Sequence, residues 1–244
     1  MFNAILFDLD DTLLTTGLNA FLPAYLERLG ARASHLVDPK AFTDVLMAAT
    51  RAMSRPHDRR LTNQQAFEAA FFPRIELPEE TLRSLFDRFY AEDFGLLRSL
   101  VSPRSEAPIL VGAALAKGLD VVIATQPVFP LTAIRQRMQW AGVNDFPYRL
   151  VTAYEIMHTC KPQVEYYLEI ASMIGQPPTK CLMVGNDPEQ DIRPAAQAGM
   201  GTYLVMSDSA PGTVSSEGEQ HGPSLSSGGI LAALTEWLRH VPGP

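Results

Sequence analysis

Asp8 and Asp10 stand one residue apart in AILFDLDDTLL, residues 4–14, directly after an apolar stretch. Alternate side chains of an extended segment share a face, so these carboxylates converge on one point. The chain sets reactive residues after other apolar stretches as well. Thr125 and Gln126 follow VVIA, Lys161 and Pro162 follow a short connection after YRLVT, and Asp187 and Asp191 lie in GNDPEQD after CLMV. Carboxylates gathered this closely do not all stay ionised without a cation. A hard divalent ion suits oxygen donors, and Mg²⁺ takes one or two protein carboxylates, several waters and a substrate phosphate oxygen.

These residues need a scaffold that brings strand ends together. Ala4–Phe7, Leu119–Ala124, Tyr148–Thr152, Lys180–Val184 and Gly201–Val205 are nearly continuous apolar runs, the pattern of buried parallel strands. Helical patterns over Glu106–Lys117, Pro130–Ala141, Gln163–Ile174 and Ile192–Ala198 separate the later ones, with Gly118, Gly142, Gly175 and Gly199 placed as C-caps. Alternation of this kind predicts an α/β fold, a doubly wound, Rossmann-like parallel sheet, with ligands bound beyond the carboxyl ends of its strands.

Residues 16–98 differ. NAFLPAYLERLG, AFTDVLMAATRAM, NQQAFEAAFFPRI and ETLRSLFDRFYAEDF have helical spacing, and no strand is predicted there. The expected organisation is therefore a core of residues 1–15 and 99–244 with an all-helical cap of residues 16–98 inserted after the first strand. Residues 207–228, rich in Ser, Gly and Pro, read as an exposed loop, and GILAALTEWLRH as a terminal amphipathic helix.

At 244 residues and net charge −7, the chain lacks the basic balance that nucleic acid or an anionic membrane calls for. Cys160 and Cys181 form no metal-type cluster and read as reduced packing residues. No signal peptide and no membrane span is visible, so a cytoplasmic location is expected. His35, His57, His158, His221 and His240 make no spaced ligand set.

DLDDTL, IATQ, CKPQ and VGNDPEQDI, in that order and each at a predicted strand end, resemble the four signatures of the haloacid dehalogenase-like hydrolase superfamily. The helical stretch stands where subfamily I members carry a C1-type cap. The resemblance implies a phosphatase using Mg²⁺ and an aspartyl-phosphate. Asp8 would be the nucleophile and a metal ligand, and Asp10 the general acid/base, its main-chain carbonyl on the metal. Thr125, with Gln126, would bind the phosphoryl group, and Lys161 would set its charge against that group and Asp8. The fourth signature departs from the usual Gly-Asp. Either Asn186 or Asp187 fills the metal-facing slot, and a carboxylate is the better Mg²⁺ ligand, which favours Asp187. Asp191 would hold a metal-bound water or pair with Lys161.

Dehalogenases carry another residue in the place of Asp10, which favours phosphoryl chemistry. A phosphomutase or phosphotransferase, a 2-haloacid dehalogenase and a non-catalytic binding protein are the alternatives. Asp11 and Thr12 read as turn and helix-entry residues. Arg51, Arg55, Arg59 and Arg60 read as a solvated face, and Phe67, Phe71 and Phe72 as cap packing. The expected partner is a small phosphorylated substrate, and the chain is a monomer or homodimer.

Overall fold

A computed structural model describes residues 1–206, 226–229 and 231–240. Its frame is a parallel sheet built from β1 (Ala4–Phe7), β4 (Asp120–Ile123), β5 (Leu150–Val151), β6 (Cys181–Gly185), β7 (Gly201–Val205) and β8 (Ser226–Gly229), in the order β5-β4-β1-β6-β7-β8. The first strand is central, with Phe7 opposite Ile123 on one side and Val184 on the other. From β1 the topology runs outward first through β4 and β5, then to β6 and beyond. That reversal opens a crevice at the carboxyl end of β1.

Strand periodicity divides the core. Ile5, Phe7, Val121, Ile123, Leu182 and Val184 face one layer of buried side chains. Ala4, Leu6, Val122, Cys181 and Met183 face the other, which contains Tyr166, Tyr167 and Ile170. Helices α5 (Glu106–Ala116), α6 (Leu131–Trp140), α7 (Val164–Ile174), α8 (Arg193–Gln197) and α9 (Leu231–His240) flank the sheet. Gly175 ends α7 at φ 71°, a left-handed conformation that glycine adopts without Cβ strain.

Between β2 (Leu14–Thr15) and β3 (Ser102–Pro103), which pair antiparallel, the chain is helical: α1 (Leu18–Ala33), α2 (Pro39–Ser54), α3 (Asn63–Phe71) and α4 (Glu79–Arg88), continued by π and 3-10 turns to Leu100. Phe67, Phe71 and Phe72 pack within this segment, Phe67 stacked on Phe71 with centroids 5.1 Å apart. Arg60 pairs with Asp58, and Arg59 reaches Glu165 at the start of α7. Among the described residues no helix is long and apolar enough to cross a membrane.

The expected loop over 207–228 needs correction at its end. Ser226–Gly229 extends the sheet, pairing parallel with Thr202–Val205. Main-chain bonds hold this strand, including Met206 N–H to the Gly229 carbonyl at 2.9 Å, so its Ser and Gly residues left no apolar signature to read. Residues 207–225, His221 among them, lie outside the described residues.

Candidate active site

Burial decides the electrostatics at the end of β1. Asp8 is 7% exposed, Lys161 4% and Asp191 2%. The Lys161 ammonium donates to Asp8 Oδ1 at 2.7 Å and to Asp191 Oδ1 at 2.6 Å. A lone buried cation would be costly, and the flanking carboxylates offset that cost. Burial works against the ammonium, yet Asp8 and Asp191 hold its pKa well above the ordinary lysine value. Burial also pushes the Asp8 carboxyl up to about 6; Lys161 pulls against that rise and Asp191 adds to it.

Asp191 reaches Lys161 because β6 ends in glycine. A Cβ on Gly185 would collide with the Asp191 carboxylate. The other oxygen, Oδ2, accepts the Asp187 N–H at 3.1 Å, which fixes the carboxylate from behind. Pro188–Ile192 forms a single π turn, so Asp191 is carried on a locally widened helix start.

The two alternatives of the fourth signature have different partners here. Asp187 Oδ1 accepts the Glu189 and Gln190 N–H groups at 2.8 and 3.0 Å, capping its own helix. Asn186 instead lies against the first signature, its Oδ1 accepting from the Thr12 hydroxyl at 3.1 Å. Thr12 is fully buried and bonded across to Asn186, so it is a site residue and not the helix-entry residue expected. Asp11 does form the turn: at φ 57° its Oδ1 receives the N–H groups of Thr16 and Gly17.

Asp10 lies beside a partner that sequence reasoning missed. Its Oδ1 accepts from the Thr16 hydroxyl at 2.7 Å, and its Oδ2 pairs with the guanidinium of Arg137, on α6. Arg137 is only 2% exposed and lies over the Phe129 ring at 5.3 Å. Burial lowers its pKa to about 10, opposed by the charge of Asp8, so it remains a cation at neutral pH. In the sequence Arg137 is one more polar position on an amphipathic helix, and nothing in the spacing marks it as buried.

The loops after β4 and β5 are tied together. Thr125 is 1% exposed, and its carbonyl accepts from Thr152 Oγ1 at 2.9 Å and the Tyr166 hydroxyl at 2.7 Å. The Gln126 carboxamide clamps the main chain of Lys161, accepting its N–H at 2.9 Å and donating to its carbonyl at 3.1 Å. Its side chain therefore positions Lys161. Cys160 and Cys181 are buried free thiols, raised by burial to about 12 and about 11.

The described residues contain no cluster of three or more His, Cys, Asp or Glu side chains able to hold a metal. What the crevice presents is thinner: the Asp8 carboxylate and the Asn186 carboxamide oxygen, the latter held by the Thr12 hydroxyl. Such a hard-oxygen set fits Mg²⁺, which keeps waters and substrate oxygens in most of its positions.

A doubly wound sheet with a buried carboxylate–lysine–carboxylate row at its switch point defines a hydrolase-type α/β site. The chain belongs to the haloacid dehalogenase-like hydrolase family, which it matches over residues 2–199. Its fold is shared with a phosphatase of this family from Thermococcus onnurineus (18% identity, 97% of each chain, TM-score 0.55). L-2-haloacid dehalogenase from Xanthobacter autotrophicus is also similar (16% identity, 99% of this chain and 100% of that one, TM-score 0.54). So is a Thermotoga maritima protein described as a β-phosphoglucomutase (16% identity, 98% and 99%, TM-score 0.53). No curated protein matches the chain at a significant level.

Proposed function

We propose that the protein is a Mg²⁺-dependent phosphatase that hydrolyses a small phosphate monoester through an aspartyl-phosphate on Asp8. The observation that carries this reading is the buried Asp8–Lys161–Asp191 row beside a second carboxyl group, Asp10. Displacing a halide requires no acid, whereas an alkoxide leaving from phosphorus does.

Asp8 attacks phosphorus through a carboxylate oxygen as the bond to the alcohol oxygen breaks, and protonated Asp10 gives its proton to the leaving alkoxide. Asp10, now ionised, takes a proton from water as that water attacks phosphorus. The bond from phosphorus to Asp8 breaks, releasing phosphate and restoring both groups. Lys161 opposes the negative charge of nucleophile and phosphoryl group, and Thr125 offers a hydroxyl to a phosphoryl oxygen. Gln126 acts by holding the Lys161 main chain. Thr16 and Arg137 orient Asp10, each taking one of its oxygens and leaving a further lone pair on each.

Mg²⁺ would be held by Asp8, the Asp10 carbonyl and Asn186, and when bound it neutralises charge between nucleophile and phosphoryl group. Asn186 is preferred to Asp187 because Asp187 already caps its helix. The helices of residues 18–100 act as the cap over this site, and the reduced thiols accord with a cytoplasmic enzyme.

Asp8→Asn tests the reading. The variant should keep the circular dichroism and melting behaviour of a folded protein and release no phosphate in Mg²⁺. Turnover near the wild-type rate would overturn Asp8 as nucleophile.

A further inference from the structure

Asp10 and Arg137 form part of the wall of a cavity of about 340 Å³ between α1, α2 and the loop after β4. This lies at the small end of the range of ligand pockets, roughly 300–1,000 Å³. Most of its wall is apolar, with Phe21, Leu46, Met47 and Phe129 among the lining side chains.

The polar groups in the wall are few, and most of their protons are already used. Thr50 and Ser54 donate their hydroxyls to the Leu46 and Thr50 carbonyls at 2.9 and 2.8 Å, bonds internal to α2. The Tyr25 hydroxyl is 2.9 Å from that of Tyr90, and the Gln126 carboxamide faces the Lys161 main chain. The cavity thus suits an apolar body and has few groups to pair with a ring of hydroxyls. Each sugar hydroxyl buried there unpaired would cost about 1–3 kcal/mol.

We infer that the leaving group is a small, largely apolar alcohol, and not a polyhydroxylated sugar or polyol. This deepens the phosphatase reading and rests on it. The reaction is the balanced hydrolysis of an apolar alkyl or arylmethyl phosphate to the alcohol and inorganic phosphate.

The test measures phosphate release by the full-length protein in Mg²⁺ from benzyl phosphate, 3-methylbutyl phosphate, glycerol 3-phosphate, glucose 6-phosphate and acetyl phosphate. Acetyl phosphate carries too small a leaving group to need the cavity. The expected result is a kcat/KM for the two apolar esters at least about tenfold above those for the sugar and polyol esters, the scale of a hydrophobic-pocket preference. Filling the cavity with Met47→Trp should lower the ratio of benzyl phosphate to acetyl phosphate turnover by a similar factor. Asp8-dependent release that is equal across the esters, or greater from glucose 6-phosphate, would overturn the inference while leaving the phosphatase reading intact. Release from none of them, acetyl phosphate included, would overturn both.

Discussion

At the scale of single residues, the site is governed by what surrounds each charge. Asp8 must be ionised to attack, and its carboxyl is pushed up to about 6 mainly by burial. A rate that depends on this carboxylate is lost as pH falls through that value. A divalent cation beside the carboxylate favours its charged form, so the acid limb of the kcat/KM profile should move to lower pH as Mg²⁺ concentration rises. A limb that stays in place at every Mg²⁺ concentration would belong to another group. Asn186 and Asp187 give a second contrast. Asn186→Ala should raise the Mg²⁺ concentration for half-maximal activity by about tenfold or more. Asp187→Ala should instead cost about 1 kcal/mol of stability through loss of a helix cap, read as a lower melting temperature. The reverse pattern would put Asp187 on the metal. Asp8, Asp10, Lys161 and Asp191 stood out in the sequence as charges at or soon after the ends of apolar runs, and Thr125 only through the second signature. Arg137 and Thr12 did not, since their roles come from burial among residues distant in the chain.

At the scale of elements, strand ends aim the chemistry and the short turns after them tune it. The apolar runs marked β1, β4, β6 and β7 to within a residue or so, while β5 shrank to Leu150–Val151 and β8 escaped notice. Apolar pattern marks strands that bury side chains, whereas β8 is defined by main-chain pairing. The β6 end shows how little room the arrangement leaves. Gly185 is followed by a π turn that swings Asp191 back over it, with space only for hydrogen at the Gly185 Cα. Gly185→Ala should therefore displace Asp191 from Lys161, leaving a buried ammonium with one carboxylate in place of two. Breaking such a pair costs about 3–5 kcal/mol. A large fall in melting temperature together with loss of phosphate release is expected. A variant of wild-type stability and rate would mean that the turn can relax away from the strand.

At the scale of the whole molecule, the helical segment and the sheet meet at the proposed leaving-group cavity, which has walls from both. The helical periodicities foretold a separate helical segment, but no pattern in the sequence says where it is fastened. Asn63, fully buried at the start of α3, is one fastening. Its Nδ2 donates to the Pro127 carbonyl at 3.2 Å, the Thr159 carbonyl at 3.1 Å and Cys160 Sγ at 3.3 Å. The adjacent main chain adds bonds from Asn63 N–H to Met157 and from Gln64 N–H to Tyr154, at 2.7 and 2.8 Å. One amide thus joins the helices to the loop after Gln126 and to the residues just before Lys161. Asn63→Ala would leave those buried carbonyls without a partner, at about 1–3 kcal/mol, or roughly 2–4 °C of melting temperature per kcal/mol for a chain of this size. If the fastening also sets the Lys161 loop, kcat should fall more than stability alone explains at a temperature where the variant is fully folded. A stability loss with unchanged kcat would restrict Asn63 to holding the helices in place and leave Gln126 to position Lys161.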